Sequence, residues 1–190
     1  MEQDDRRLIE RARGGDDAAF DTCVRRHADR VRATAYRLVG DVEDARDVAQ
    51  EVFVRLHAVL DRFDPAYRFT TWLHKLTVNL AIDFRRRRGR RVPTGASLPE
   101  AEAMPDPGPG PDAETERNEL HGAIEALAGE LSDMQRQVFV LRDLQELPTA
   151  EIAEILDCRE STVRVHLARA RLRVREALRE RFPEFLTGGA

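Results

Sequence analysis

The sequence predicts an all-α protein: two small helical domains joined by a flexible, acidic, proline-rich linker. Apolar residues recur at spacings of three and four along most of the chain, which is the period of an amphipathic helix. Six of the nine prolines fall between Val92 and Asn118, among glycines and acidic residues with almost no large apolar side chains. Such a segment cannot bury enough apolar surface to order itself. We therefore predict domains at residues 1–91 and 119–190, with a linker at 92–118.

The composition restricts the class of protein further. Of the 190 residues, 42% are hydrophobic and 35% are charged, a mixture typical of a helix-rich soluble chain. The sequence contains no run of eighteen apolar residues and no N-terminal signal, so we predict a cytoplasmic protein without membrane insertion. Cys23 and Cys158 lie far apart, and the five histidines are scattered without metal-ligand spacing. We therefore expect neither a metal site nor a cofactor.

A net charge of −4 conceals a strong segregation of charge along the chain. Arginine dominates from Arg85 to Arg91 and in the last helix, while acidic residues concentrate in Asp41–Asp47 and Glu100–Glu119. Because local fields rather than the net charge attract partners, we expect the basic and acidic segments to meet different partners.

Caps and glycines set the bounds of the first two predicted helices. Asp4 and Asp5 can cap a short helix that ends at a pair of glycines. Asp16 or Asp17 can then start a longer helix, which stops at Gly40.

A third helix, predicted from Asp41 to Phe63, carries polar and acidic side chains on its first turns. Acidic groups near a helix N-terminus interact favourably with the helix dipole, which accounts for part of the pattern. Their density also suits docking of a basic partner helix, and the residues alone leave both interpretations open. The residues concerned are Asp44, Asp47, Gln50 and Glu51.

The loop that follows, from Arg62 to Phe69, is dense in aromatic residues and arginines. Aromatic faces with nearby guanidinium groups can stack an unpaired, flipped base and pair with its phosphates. The alternative is that Phe63, Phe69 and Trp72 close the core of a small helical domain. The next helix, from Trp72 to Phe84, ends in six arginines within seven residues, which exceeds any capping need and indicates phosphate contacts.

The second domain ends in a predicted helix-turn-helix between Leu147 and Arg181. Before it, Ser132 and Gln135 form a capping box for a helix from Met134 to Leu144. Two apolar stripes then follow, separated by a break at Asp157-Cys158-Arg159. The outward face of the last helix combines arginines with small side chains, which fits a DNA major groove. The residues on this face are Ser161, Arg164, Val165, Ala168, Arg169, Arg171 and Arg175.

In this order the features resemble the extracytoplasmic-function (ECF) group of bacterial sigma factors, two-domain members of the sigma-70 family. The resemblance covers nearly the whole chain and is specific because three motifs follow one another around an acidic linker. The motifs are DVEDARDVAQEVFVRL, FTTWLHKLTVNLAIDFRRRR and LSDMQRQVFVLRDLQELPTAEIAEILDCRESTVRVHLARARLRVREAL.

The resemblance implies an alternative sigma factor, a non-enzymatic subunit that directs core RNA polymerase to specific promoters and helps to open them. It implies contacts with the largest and second-largest polymerase subunits, with promoter DNA and with an anti-sigma factor. The implied polymerase-binding residues are Asp44, Asp47, Gln50, Glu51 and Phe53.

The resemblance also implies two sets of DNA-binding residues. The residues implied for the −10 element are Arg62, Phe63, Tyr67, Arg68, Phe69, Trp72, Asn79, Arg85, Arg86, Arg87 and Arg88. The residues implied for the −35 element are Ser161, Thr162, Arg164, Val165, Ala168, Arg169, Arg171 and Arg175, with Arg171 and Arg175 facing phosphates. One departure from the family is Pro148, which replaces a helix-capping serine and leaves Thr149 as a substitute.

Two other classes of function stay open. An ordinary regulator could carry a similar helix-turn-helix with an N-terminal sensing domain, although such a domain has no use for a second nucleic-acid surface. An enzyme acting on nucleic acid fits least, because the chain lacks a phosphate-binding GxxxxGK[ST] loop and its carboxylates lie at helix starts rather than in a converging pair.

Overall fold

The computed structural model describes residues 2–89, 123–124 and 127–182. Every regular element in these ranges is helical, which confirms the predicted all-α class. The predicted linker at 92–118 and the predicted start of the second domain at residue 119 lie outside the described residues. The chain divides into two compact units, one that comprises the N-terminal helices with Ala153–Asp157 and one that comprises the rest of the C-terminal helices.

The N-terminal unit contains helices α1 (Glu2–Arg13), α2 (Asp17–Val39), α3 (Val42–Val59) and α4 (Phe69–Gly89). A short 3-10 turn, Leu60–Arg62, extends α3 toward the loop. Helix α2 packs against each of the other three, and α3 also packs against α4. Helices α2 and α4 each contact all the other helices of this unit.

Caps fix the helix boundaries in this unit much as the sequence predicts. The Asp16 carboxylate caps α2 by accepting a hydrogen bond from Ala19 N at 3.0 Å. Gly40 ends α2 with a left-handed φ of 82°, and its N–H donates to Tyr36 O at 2.7 Å. Asp41 then caps α3 through Asp44 N at 2.9 Å. Glycine suits the position after α2 because other residues adopt a positive φ only at a cost.

The expectation that Asp4 and Asp5 cap α1 is wrong, because the helix already begins at Glu2. Asp5 instead turns inward and is 1% exposed. Arg26 Nη1 on α2 donates to its Oδ1 at 2.7 Å, and His27 Nε2 lies 3.3 Å from the same oxygen. A buried carboxylate needs such partners, so this contact fixes α1 on α2.

Two imidazoles are buried in the N-terminal unit. Burial lowers the pKa of His27, although the neighbouring Asp5 opposes that shift. Burial, with smaller contributions from Arg30 and His27, lowers the pKa of His74 to about 4. His74 is therefore neutral in the folded protein at pH 7, and protonating it opposes folding.

In the C-terminal unit the described helices are α5 (Asp133–Phe139), α6 (Thr149–Ile155) and α7 (Glu160–Arg181). The capping box of Ser132 and Gln135 is confirmed. A π-helical turn, Val140–Leu144, continues α5 to the end of the predicted helix. Helix α5 packs against α7 around a shared core. The core residues are Leu127, Ala128, Leu131, Phe139, Ala170 and Val174.

The stability of the N-terminal unit should fall on acidification because of His74. On folding, the pKa of His74 drops from 6.5 to about 4. The unfolded state therefore binds a proton more readily, and the free energy of unfolding falls as the pH drops below 6.5, the pKa in the unfolded chain. Between pH 7 and pH 5 we expect this residue to cost on the order of 2 kcal/mol of unfolding free energy. Urea unfolding followed by fluorescence reports this unit, since Trp72 is the one tryptophan of the chain.

The control separates His74 from general acid effects. His74→Leu cannot titrate, so its loss of stability between pH 7 and pH 5 should be smaller than that of the wild type. His57 is exposed, and His57→Gln should retain the wild-type loss. An equal loss in the wild type and in His74→Leu would show that another group carries the pH dependence.

Candidate nucleic-acid and protein interfaces

The predicted helix-turn-helix is formed by α6, a short turn and α7. Ile152 and Ile155 on α6 and Val163 on α7 are at most 1% exposed. The turn contains Asp157 in a left-handed conformation, with φ of 51°. Aspartate tolerates this region better than most non-glycine residues, which suits a tight turn between two helices.

Helix α7 separates a buried stripe from an exposed basic face. Its buried residues are Val163, Leu167, Ala170 and Val174. Of the residues implied for the −35 element, only Thr162 is half-buried; the exposed ones are Ser161, Arg164, Val165, Ala168, Arg169, Arg171 and Arg175. The structure therefore places that set along one side of a single helix. Leu172, 54% exposed, continues the apolar strip of Val165 and Ala168, and sequence reasoning missed it.

Glu160, at the start of α7, links the two helices of the motif. Its Oε2 accepts a hydrogen bond from Thr149 Oγ1 at 3.3 Å and another from Arg164 Nη1 at 3.1 Å. Thr149 is the first residue of α6, so its hydroxyl connects the two helices. The same carboxylate orients Arg164, one of the arginines implied to face bases.

Arg171 is exposed, but it is paired with an acidic residue of the same unit. Its Nε and Nη2 donate to the two carboxylate oxygens of Asp143 at 2.9 and 2.5 Å, in a bidentate pair that raises the pKa of the guanidinium. Arg169 is also exposed but, in contrast, has no ion-pair partner among the described residues. Sequence reasoning treated both arginines as available, because it could not foresee a pair between residues 28 positions apart.

In the N-terminal unit, the aromatic residues of the predicted loop divide into buried and exposed groups. Phe63 and Phe69 are 4% and 3% exposed, and their rings meet edge to face with centroids 5.8 Å apart. Trp72 is half-buried against Phe63, at a centroid distance of 5.1 Å. Tyr67 is 67% exposed. The two phenylalanines thus pack in the core, as the alternative interpretation held, and they support a loop whose tip carries Tyr67 and Arg68.

A cleft of about 290 Å³ opens at this loop. Its lining residues are Phe63, Pro65, Ala66, Tyr67, Arg68, Phe69 and, from α1, Arg6. The loop is shaped by Asp64, whose Oδ1 accepts a hydrogen bond from Ala66 N at 2.9 Å and whose carbonyl accepts one from Tyr67 N at 3.0 Å. Aromatic and guanidinium walls around a small cleft can hold one flat ring and an adjoining anion.

The polar residues of α4 lie in different surroundings, and one of its terminal arginines contacts the acidic helix α3. Asn79 and Arg86 are exposed and seven residues apart, so they share one face of α4. Arg87 Nε donates to Asp83 O at 3.3 Å. Arg88 pairs with the Asp44 carboxylate. Asp44 therefore neutralises one of the arginines at the end of α4. Its carboxylate is also less accessible to a protein partner than its position in the acidic first turns of α3 suggests.

Helix α3 presents an exposed stripe that includes most of the residues implied to bind polymerase. Asp47, Gln50 and Glu51 are exposed, while Phe53 is half-buried. Val54 is 57% exposed and lies three and seven residues beyond Glu51 and Asp47, on the same face. An exposed apolar side chain can be buried by a docked partner, which adds a favourable apolar contribution to binding. Sequence reasoning did not single out Val54.

Cys23 is buried in the N-terminal unit and is not part of a disulfide. Burial raises the pKa of the Cys23 thiol to about 12, so its thiolate is scarce at neutral pH. Within residues 2–89, 123–124 and 127–182, no group of three His, Cys, Asp or Glu side chains could hold a metal ion. In the same ranges no helix combines the length and apolarity that a bilayer crossing requires.

These surfaces define a class of protein: a helix-turn-helix DNA-binding protein whose separate N-terminal unit bears a second surface suited to nucleic acid. Comparison with known families identifies it further. Residues 23–91 match sigma-70 region 2, and residues 121–174 match sigma-70 region 4.

Known sigma factors are similar to this chain over nearly its full length, which includes both helical units. The chain is 32% identical over 187 residues to the ECF RNA polymerase sigma factor SigW of Bacillus subtilis (strain 168). This alignment covers 95% of the present chain and 100% of SigW. It is 30% identical over 183 residues to the RNA polymerase sigma-H factor of Pseudomonas aeruginosa, spanning 93% and 95% of the two chains. The solved structure of CnrH in complex with the cytosolic domain of CnrY aligns with a TM-score of 0.68 and 26% identity, over 94% of this chain and 99% of CnrH. The chain belongs to the ECF group of the sigma-70 family, which confirms the resemblance found in the sequence.

Replacing Arg169 and Arg171 separately should distinguish the two arginines of α7. Arg169→Ala should weaken binding to promoter duplex by about 1 to 3 kcal/mol if this side chain reads a base, with a smaller loss on a scrambled −35 sequence. Arg171→Ala should affect DNA binding less, because Asp143 already holds its guanidinium. Fluorescence anisotropy across a range of salt concentrations measures both.

Two outcomes would contradict this division. An equal loss on promoter and scrambled DNA would make Arg169 a phosphate contact. A salt slope smaller by about 0.9 in Arg171→Ala would show that Arg171 leaves Asp143 and neutralises a phosphate.

Proposed function

We propose that this protein is an alternative sigma factor that directs core RNA polymerase to specific promoters and initiates transcription there. The observation that carries the proposal is the presence, on separate helical units of one chain, of an exposed basic recognition helix and a loop cleft lined by Tyr67 and Arg68. The first suits duplex DNA and the second suits an unpaired strand. Its role is non-enzymatic.

The C-terminal unit recognises the −35 element through α7. Arg164, Val165, Ala168 and Arg169 face bases, while Arg175 contacts a phosphate. Val165 and Ala168 offer only methyl contacts, so part of the readout comes from thymine methyl groups and from DNA shape. Leu172 extends this apolar strip along the helix and adds contact area beside Arg169 and Arg175.

The N-terminal unit recognises and helps to open the −10 element. Tyr67 and Arg68 at the loop tip hold one flipped base, while Phe63 and Phe69 support them from below. Arg62, Asn79 and the exposed arginines of α4 contact the strand. Opening is favoured because each base captured outside the duplex offsets part of the cost of unstacking it.

Core RNA polymerase docks on the exposed stripe of α3. Asp47, Gln50 and Glu51 supply charge and hydrogen bonds, and Val54 supplies apolar contact at the C-terminal end of that stripe. The partners are the two largest polymerase subunits. An anti-sigma factor is a further partner, by analogy with CnrH, whose solved structure contains the cytosolic domain of a second protein.

Substitutions on this stripe should abolish polymerase binding without unfolding the protein. Asp47→Lys reverses a charge, and Val54→Asp replaces an apolar contact with a charge that docking would bury. Both residues are exposed in the free protein, so the helical circular dichroism should persist. Asp21 is an exposed acid on α2, and Asp21→Lys serves as the matched control. Co-migration with purified core polymerase on gel filtration measures binding; undiminished binding by Asp47→Lys and Val54→Asp would refute the docking assignment.

Reconstituted transcription tests the proposed function as a whole. Purified core polymerase, this protein and a pool of genomic promoter fragments should give discrete start sites that vanish when the protein is omitted. A protein that binds duplex DNA but neither binds core nor starts transcripts would instead favour an ordinary regulator.

A further inference from the structure

Helix α1 is close to the cleft of the loop, although nothing in its sequence pattern indicated a functional role. Arg6 lines that cleft together with residues of the loop. Helix α1 also contacts the 3-10 turn that leads into the loop and the helix α4 that leaves it. The cleft is therefore bounded by two segments of the chain, the loop and α1, and α1 lies outside the span that matches sigma-70 region 2.

The rotation of α1 about its axis is fixed by its buried side. Asp5 and Ile9, four residues apart, are each 1% exposed, and Asp5 is bound by Arg26. With this side buried, Arg6 and Arg13 lie seven residues apart on a common face. That face is turned toward the loop, since both arginines reach it.

Arg13 binds the backbone that enters the loop. Its Nη2 donates to Asp61 O at 3.1 Å, and its Nη1 donates to Phe63 O at 3.4 Å. These carbonyls precede the loop tip, so Arg13 holds the near end of the loop while the Phe63 and Phe69 rings hold its two ends together. Arg13 is a positioning residue by this geometry.

Arg6 is available for a ligand. Its guanidinium lies 3.4 Å from the carboxylate of Glu10, and the two side chains are 59% and 57% exposed. Exposed pairs of this kind contribute little, so the guanidinium can exchange Glu10 for a stronger acceptor. A phosphate beside a base in the cleft is such an acceptor, because arginine binds phosphate in bidentate fashion.

We propose that α1 forms a second wall of the cleft, in which Arg6 contacts a backbone phosphate of the captured non-template strand and Arg13 positions the loop. The proposal rests on the proposed function and adds an element that the sequence motifs do not include. It predicts that α1 contributes affinity through the strand backbone rather than through base identity.

The test uses reconstituted polymerase holoenzyme and a labelled single-stranded oligonucleotide with the non-template sequence of a mapped promoter. Arg6→Ala should weaken binding about tenfold, as expected for a lost charge-assisted hydrogen bond, and should reduce the salt slope by about 0.7. The loss should persist when the captured base is replaced by an abasic site. Arg7 is exposed on the same helix, and Arg7→Ala should bind as the wild type does.

Arg13 requires a different readout. Arg13→Ala should weaken binding of the same oligonucleotide while leaving the salt slope unchanged, and Arg13→Lys should restore part of the affinity. Urea unfolding followed by Trp72 fluorescence checks that each variant is folded. A salt slope that falls in Arg13→Ala would show that Arg13 contacts the strand itself.

The outcomes separate this inference from the proposed function. If wild-type holoenzyme binds the oligonucleotide and Arg6→Ala matches Arg7→Ala, α1 is not a wall of the site, and the function stands. If wild-type protein gives no transcript starts and no strand binding with core polymerase, both proposals fail.

Discussion

The contact between Phe63 and Phe69 is the constraint on which the N-terminal surface depends. These rings lie at the two ends of the loop, are almost fully buried, and meet edge to face with centroids 5.8 Å apart. An aromatic pair contributes about 0.5 to 1.5 kcal/mol beyond its buried area, and burial of each ring adds roughly 1.5 to 3 kcal/mol. The residues between them are therefore held as a closed, outward loop. His27 meets Phe69 edge-on at 5.3 Å and also borders Asp5, so the same core connects the loop to α1.

The two units support their surfaces in different ways. In the C-terminal unit, the exposed face belongs to a regular helix whose opposite side is buried, and its side chains have fixed spacing. That geometry suits the regular groove of a duplex. In the N-terminal unit, the surface is a short loop and a cleft, which suits a base removed from its stack. Side-chain hydrogen bonds hold α7 in place, through the contacts of Glu160 with Thr149 and Arg164 and through the Arg171–Asp143 pair. The loop is held instead by the packed rings of Phe63 and Phe69.

Local sequence predicted the helices well because caps and stripes act over a few residues. Gly40 and the Ser132–Gln135 capping box are examples, and the buried stripe of α7 is another. Contacts between distant residues could not be predicted in this way. The sequence pattern predicts Asp5 as a helix cap, whereas in the folded unit it binds Arg26. The Arg88–Asp44 and Arg171–Asp143 pairs likewise depend on how the helices pack. The role of α1 was missed for the same reason, since its approach to the loop is a property of the folded unit.

Permanganate footprinting of unpaired thymines on a mapped promoter tests most directly whether the N-terminal loop opens DNA. With holoenzyme that contains the wild-type protein, we expect reactive thymines in the −10 element and protection of the −35 element. Replacing Tyr67 and Arg68 with alanine should remove the reactive thymines while the −35 protection persists. Thymines that react equally in this double variant would contradict the assignment of strand opening to the loop.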